Sequence, residues 1–402
     1  MPIRVAENSR HFVDAYGMPW FWLGDTAWHL FRGFSEADAQ AIMENRRAKG
    51  FSVLLVMLIG YEGDPAPNIR GDLPWLDEDP GRPNERYYEH VDAILRIATE
   101  LDFLVVLGIY HKSQHAHYTL ESAHTSARWI ADRYRNVPNI VWSMYPEARY
   151  PYIPIVRALA SGLREGDGGS HMISVHPDPN PQSSSFLSEE PWLSFNMLQT
   201  CIDIELVHPM TAADYAMTPI RPAVMAEGGY EGLQFDRLNT PLDIRRQAYW
   251  TFLAGGHHVF GHNSHYQILN DWQDWIDSPG SFQVGTYRKI AESLPSWWDI
   301  VPDQSILHRG VGSGLDLAAA ARSRAGDWAL VYFPSPRTAS VRLDRIWSSD
   351  SVDATWINPL TSDRSPVGTF PYSRPVEFKP PPDWEDALLL LNGSGSDSGK
   401  AA

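Results

Sequence analysis

Eight apolar runs punctuate the first two-thirds of the chain: FWLGD, FSVLLVML, FLVVLGIY, NIVWSMY, HMISVH, WLSFNML, PAVMAE and HHVFGHN. They are mostly apolar on both faces, as strands covered on both sides should be, and lack the alternation of half-exposed strands. Amphipathic stretches lie between them. SEADAQAIMENRRAKG opens on a capping serine, Ser35, and closes on Gly50. Strand–helix alternation carried through eight strands across roughly residues 20–300 predicts a (β/α)8 TIM barrel. A doubly wound parallel sheet is the competitor, but no glycine-rich phosphate loop follows the first strand. Ahead of the barrel, IRVAENSRHFVDAYGMPW predicts a β-hairpin turning at Asn8-Ser9 and again at Asp14 to Gly17.

From about residue 303 the pattern changes. DLAAAARSR, DWALVYFPS, ASVRLDRIW, VDATWINPLT, RPVEFKPP and DALLLLN are short runs between turn signals, with no long helix. They predict a small antiparallel β-sandwich. The chain thus divides into a barrel with its hairpin (1–302), a sandwich (303–393) and a Gly/Ser-rich flexible tail (394–402). Trp328 and Trp356 fall in sandwich strands and are expected in its core.

Composition narrows the function. The formal net charge of −16, with no basic run, argues against nucleic acid or an anionic membrane as a partner. No apolar window is long enough for a membrane span. The N-terminus lacks the features of a secretory signal, so the expectation is a soluble, cytoplasmic protein. Cys201 is the single cysteine, which excludes internal disulfides and a cysteine zinc site. The 16 tryptophans exceed what a core requires, and indole faces stack on the C–H faces of sugar rings. An acidic, Trp-rich chain of this size is also compatible with a homo-oligomer.

In a barrel of this class the chemistry sits where the strands end. The first strand ends in Asp25, with Trp28 and His29 beyond it, and the second leads to Tyr61 and Glu62. The third gives Tyr110, His111 and Lys112; the fourth Tyr145 and Glu147; the fifth His176. The sixth gives Asn196 and Gln199, the seventh Glu227, and the eighth His262 and Asn263. Such a rim suits a polyhydroxylated ligand. Asp25, Trp28, Tyr61, His111, Tyr145, His176, Asn196, Gln199, His262 and Asn263 are the expected substrate contacts.

Glu147 and Glu227 end strands on roughly opposite sides of the mouth, which is what retaining glycoside hydrolysis needs: one carboxyl protonates the leaving oxygen and the other attacks the anomeric carbon. Glu227 reads as nucleophile and Glu147 as acid/base. Gly228 and Gly229 allow a sharp bend after Glu227. Glu231 reads as a supporting or solvated charge. HKSQHAH spaces imidazoles as zinc ligands could be, but no carboxylate or cysteine completes the set, so neither metal nor cofactor is expected. No G-x-S-x-G elbow supports a serine triad.

FVDAYGMPWFWLGDTAWHLF, ENRRAKGFSV, NIVWSMYPE, PWLSFNMLQT, RPAVMAEGGYE and DIRRQAYWTFLAGGHHVFGHNS together resemble the apiosidase-like glycoside hydrolases, family 140. The resemblance spans roughly residues 3–393, with WLGDTAW, FNM-x-Q and GHNS as its most specific markers. It implies a clan-A barrel followed by a β-sandwich that sometimes carries a collagen-binding label. It also implies that the acid/base falls on Glu147, the nucleophile on Glu227, and hydroxyl-holding roles on Asp25, His262 and Asn263. The chain departs where Tyr145-Pro146-Glu147 stands for Gly-Gly-Asp and Ala226-Glu227-Gly228 for Gly-Glu-Pro. IYHKSQH is likewise unlike the family. These changes flank the acid and nucleophile, so they bear on which sugar is held. The expected function is a retaining exo-glycosidase acting on a terminal apiose-like or other furanoside or pentoside of small oligosaccharides or glycosides. The alternatives are an endo-acting glycanase of the same clan and a non-catalytic carbohydrate-binding protein on a barrel scaffold.

Overall fold

The structure, a computed structural model, describes residues 2–145, 152–180, 182–266, 272–347 and 350–393. Eight parallel strands form one sheet: β1 (Leu23–Thr26), β2 (Val53–Met57), β3 (Leu104–His111), β4 (Ile140–Tyr145), β5 (Ile173–Val175), β6 (Asn196–Gln199), β7 (Ala223–Glu227) and β8 (His257–Phe260). Hydrogen-bonded neighbours run β5-β4-β3-β2-β1-β8-β7-β6. The remaining seam, β5 to β6, is crossed by a parallel bridge between Ile173 and Leu193 and by the Ser174 hydroxyl donating to the Phe195 carbonyl at 2.8 Å. This is the TIM barrel that the eight runs predict.

Each strand is followed by a helix: α1 (Glu36–Ala48), α2 (Glu85–Glu100), α3 (Leu120–Tyr134), α4 (Tyr152–Asp167), a single turn α5 (Ser184–Leu187), α6 (Val207–Ala216), α7 (Pro241–Leu253) and α8 (Pro279–Glu292). The starts are chemically marked. Ser35 caps α1 by accepting from the Asp38 N–H, and Thr119 and Thr240 form capping boxes at α3 and α7. Along the strands the side chains alternate. Val53, Leu55, Met57, Val106, Val141, Met197 and Val224 fill the lumen. Leu23, Leu54, Val105, Trp142, Leu198 and Met225 pack outward against the helices.

Arg4–Val5, Phe12–Val13 and Pro19–Trp20 form a small antiparallel sheet that includes the expected hairpin. It drives Phe12 against Trp22 and Phe195, with ring centroids 4.7 and 5.3 Å apart, and so plugs the N-terminal end of the barrel.

The C-terminal region holds a six-stranded and a three-stranded antiparallel sheet. Its pairing begins at Ile300–Pro302, which joins the larger sheet alongside Ala319–Ser323. Val331, Leu389 and Trp356 of the larger sheet meet Val341 and Phe378 of the smaller. The opposite face of the larger sheet, with Trp328, Leu330 and Tyr332, belongs to the same core as the barrel helices. Trp328 and Trp356 are both buried, as expected. At the junction Arg245 of α7 makes a bidentate pair with Asp386 at 2.9 and 3.0 Å, and Tyr332 donates to the same carboxylate at 2.8 Å. No helix among the described residues is long and apolar enough to cross a membrane.

Candidate active site

The mouth at the C-terminal ends of the strands is organised around Glu227. A bulge in β7 between Met225 and Glu227, opposite Leu198 and Gln199 of β6, resets the alternation there. Ala226 and Glu227 consequently both turn inward, and the carboxylate enters the mouth. Glu227 accepts hydrogen bonds from Tyr230 and Gln199. Each donor is itself oriented. The Tyr230 hydroxyl accepts from the Trp28 indole at 3.0 Å, and Gln199 Oε1 accepts from the Tyr145 hydroxyl at 2.7 Å, leaving the Gln199 amide to donate to Glu227. The Glu227 side chain is only 13% exposed. Burial raises its pKa to about 7, against the lowering effect of its two donors.

Aromatic rings form the wall. Tyr145 packs on His176 at 4.3 Å and on His111 at 4.8 Å between centroids, and Trp28 meets His176 at 5.4 Å. Tyr61 lies 4.7 Å from His29, 6.0 Å from His111, and 6.5 Å from Tyr266 in a stacked pair. Tyr266 reaches Tyr230 at 5.1 Å. His111 owes its place to a second bulge, between Gly108 and His111 of β3. Tyr110 is thereby sent outward, where its hydroxyl meets His115 at 3.0 Å. Burial lowers the pKa of His111 to about 3 and of His176 to about 4, so both rings are neutral near pH 7.

Of the residues expected from the sequence, Trp28, Tyr61, His111, Tyr145, His176, Gln199 and Glu227 come together in this mouth. Glu147 lies outside the described residues. Asp25 does not reach the mouth. It has the parity of Leu23, points to the helix layer, and is fully buried against Arg46 of α1 at 2.7 Å and His265 at 3.3 Å. Asn196 has the parity of Leu198 and is likewise turned away from the lumen and buried. His262 stands apart from the Glu227 cluster, stacked on Trp275 at 5.7 Å, and the Asn263 N–H donates to the Glu231 carbonyl.

Glu231 is a buried support. Its carboxylate accepts from the Ser278 hydroxyl at 2.6 Å and from the Gly280 N–H at 2.9 Å, at the start of α8. Tyr230, Tyr266 and Gln247 were not singled out in the sequence. Gln247 of α7 accepts from Gly229 N–H at 2.7 Å and donates to its carbonyl at 3.0 Å, pinning the turn after Glu227. A Cβ on Gly228 would sit 1.9 Å from the Gln247 amide oxygen, so close approach rather than bending demands glycine there. Among the described residues no group of three or more His, Cys, Asp or Glu could hold a metal ion.

Residues 6–299 match the family described as "Apiosidase-like, catalytic domain". The chain belongs to the apiosidase-like family. Residues 301–392 of this apiosidase-like protein match "Putative collagen-binding domain of a collagenase". No curated protein matches. Among solved structures, one described as a glycoside hydrolase is 25% identical with a TM-score of 0.89, covering 98% of each chain. A glycoside hydrolase family 5 protein from Bacteroides vulgatus is 24% identical with a TM-score of 0.90, covering 98% of this chain and 94% of its own. The apiosidase-like chain is thus a glycoside hydrolase of the TIM-barrel clan, and its substrate is a carbohydrate.

Proposed function

We propose that this glycoside hydrolase is a retaining exo-glycosidase that removes a terminal apiose-like or other furanoside or pentoside from small oligosaccharides or glycosides. Glu227 is the nucleophile and Glu147 the acid/base. The observation that carries the reading is the Glu227 carboxylate, fixed by Tyr230 and Gln199 inside a ring of aromatic side chains. Two donors aimed at one carboxylate hold it for attack on an anomeric carbon, while the rings offer faces for a single sugar. The departure at Tyr145 supports a substrate other than the family's typical one, because its phenol both lines the wall and orients Gln199.

The raised pKa of Glu227 favours a second reading, in which the roles are exchanged and Glu227 is the acid. Azide decides between them. Glu227→Ala should be inactive on natural glycosides, and with azide and an activated aryl glycoside it should give a glycosyl azide of inverted configuration. A product of retained configuration would make Glu227 the acid/base. Near-normal activity in both Glu227→Ala and Glu147→Ala would sink the two-carboxylate mechanism altogether.

A further inference from the structure

Tyr230, which donates to Glu227, is gripped by the segment that follows β8. The segments after β7 and β8 are laced together past the ends of their strands. The Glu231 N–H donates to the Gly261 carbonyl and the Asn263 N–H to the Glu231 carbonyl, both at 2.9 Å. The Tyr230 ring lies directly on Gly261, where a Cβ would stand 2.2 Å from its Cδ1. Tyr266 meets the same ring at 5.1 Å between centroids, and Tyr230 is buried between them.

Tyr266 ends a single helical turn, Asn263–Tyr266, which is too short to be stable by itself. Its anchor is the preceding residue. His265 is fully buried behind β1 and β8, with Nδ1 3.3 Å from Asp25 Oδ2 and its ring stacked on Trp275 at 4.4 Å. Asp25 is held in turn by Arg46 Nε at 2.7 Å, and Arg46 donates onward to the Ile276 carbonyl at 2.7 Å. Fixing His265 fixes the direction in which its neighbour Tyr266 leaves the turn. Asp25 and His265 are both wholly buried outside the mouth, so any effect on the chemistry passes through Tyr266.

We infer that Asp25 and His265 are positioning residues: they lock the Asn263–Tyr266 turn so that Tyr266, with Gly261, holds the Tyr230 hydroxyl on Glu227. A carboxylate sealed behind the barrel wall thereby acts on the one inside the mouth. The inference rests on Glu227 taking part in the reaction, and it holds whether Glu227 serves as nucleophile or as acid.

The Tyr230 hydrogen bond favours the ionised carboxylate, so loosening it should raise the Glu227 pKa further. The test is an NMR titration of carboxyl-labelled glutamate in the parent, Asp25→Asn, His265→Phe, Tyr266→Ala and the His265→Phe/Tyr266→Ala double variant. Glu227→Gln assigns the resonance. Each single variant should raise the Glu227 pKa by at least about 0.5. For Asp25→Asn the sign is diagnostic, because loss of a negative charge alone would lower it. The other titratable groups that act on Glu227 are Tyr61, Lys112, Tyr145, His176, Asp178 and Cys201, and every variant leaves them in place. Since His265 acts through Tyr266, the double variant should shift no further than Tyr266→Ala alone. An unchanged or lowered Glu227 pKa in folded His265→Phe or folded Asp25→Asn overturns the clamp, as do additive shifts in the double variant. The titration needs no substrate, so it decides the clamp by itself. Undiminished glycoside cleavage by Glu227→Ala would instead overturn the reading of Glu227 on which the clamp's function rests.

Discussion

His176 presents Nε2 to Oε2 of Glu227 at 3.5 Å, while its Nδ1 lies 3.1 Å from the Pro177 carbonyl. That carbonyl can only accept, so Nδ1 carries the proton and Nε2 faces the carboxyl as a lone pair. With the imidazole pKa lowered to about 4 and the carboxyl raised to about 7, the two are not an ion pair near neutrality. A shared proton resides on Glu227.

Attack by Glu227 requires the ionised form, so kcat/KM should fall on the acid side with an apparent pKa near 7, well above the 4.5 of an ordinary glutamate. A pH–rate profile of an aryl glycoside checks this. An acid limb below about 5.5 would show that burial does not govern Glu227 in the free enzyme.

The same shift bears on stability. A carboxyl whose folded pKa is raised binds its proton more tightly in the native state. Its stabilising contribution is present below 4.5 and is lost as pH rises through about 7. Glu227→Gln should therefore raise Tm at pH 8 and change it little at pH 4.5. Scanning calorimetry at the two pH values measures the difference, and equal changes at both would contradict the linkage.

Asp25 and Arg46 are both fully buried. Asp25→Ala leaves a guanidinium without its counter-charge and should cost about 3–5 kcal/mol. Adding Arg46→Met should recover much of that loss, because the double variant buries no orphan charge. Urea denaturation of the three variants gives the comparison, and a double variant less stable than Asp25→Ala would refute it.

At the domain junction Arg245 and Asp386 are 2% and 3% exposed, whereas Glu385, which also reaches Arg245, is 67% exposed. Asp386→Ala should cost about 3–5 kcal/mol, while Glu385→Ala should cost under about 1 kcal/mol. Thermal unfolding of both variants separates them. Similar losses would mean that burial does not set the value of the contact.

The barrel was legible because its strands are buried on both faces, and a run such as FLVVLGIY has few other places to go. The rim was legible only in part. Period-two alternation places Asp25 with Leu23 and Asn196 with Leu198, so parity within the strand could have withdrawn both from the mouth. The bulges leave no such mark. Nothing in LVVLGIYH announces that Tyr110 turns out and His111 turns in. Tyr230 and Tyr266 lie in the segments beyond β7 and β8, where strand alternation no longer assigns a side chain to a face, although an aromatic three residues past a strand-end carboxylate is a usable signal.

The bulge in β7 has a consequence for how such a protein loses or gains activity. Inserting one residue between Leu198 and Gln199 of β6 would give Ala226 a partner of its own, restore uninterrupted alternation through β7 and turn Glu227 to the helix side of the sheet, with most of the barrel's lumen and its helical shell still able to form. One inserted codon in β6, rather than a substitution, is therefore a short path from this enzyme to an inert scaffold of the same shape. In comparisons among relatives, a one-residue insertion opposite the bulge would be a stronger sign of lost catalysis than a changed side chain elsewhere on the rim.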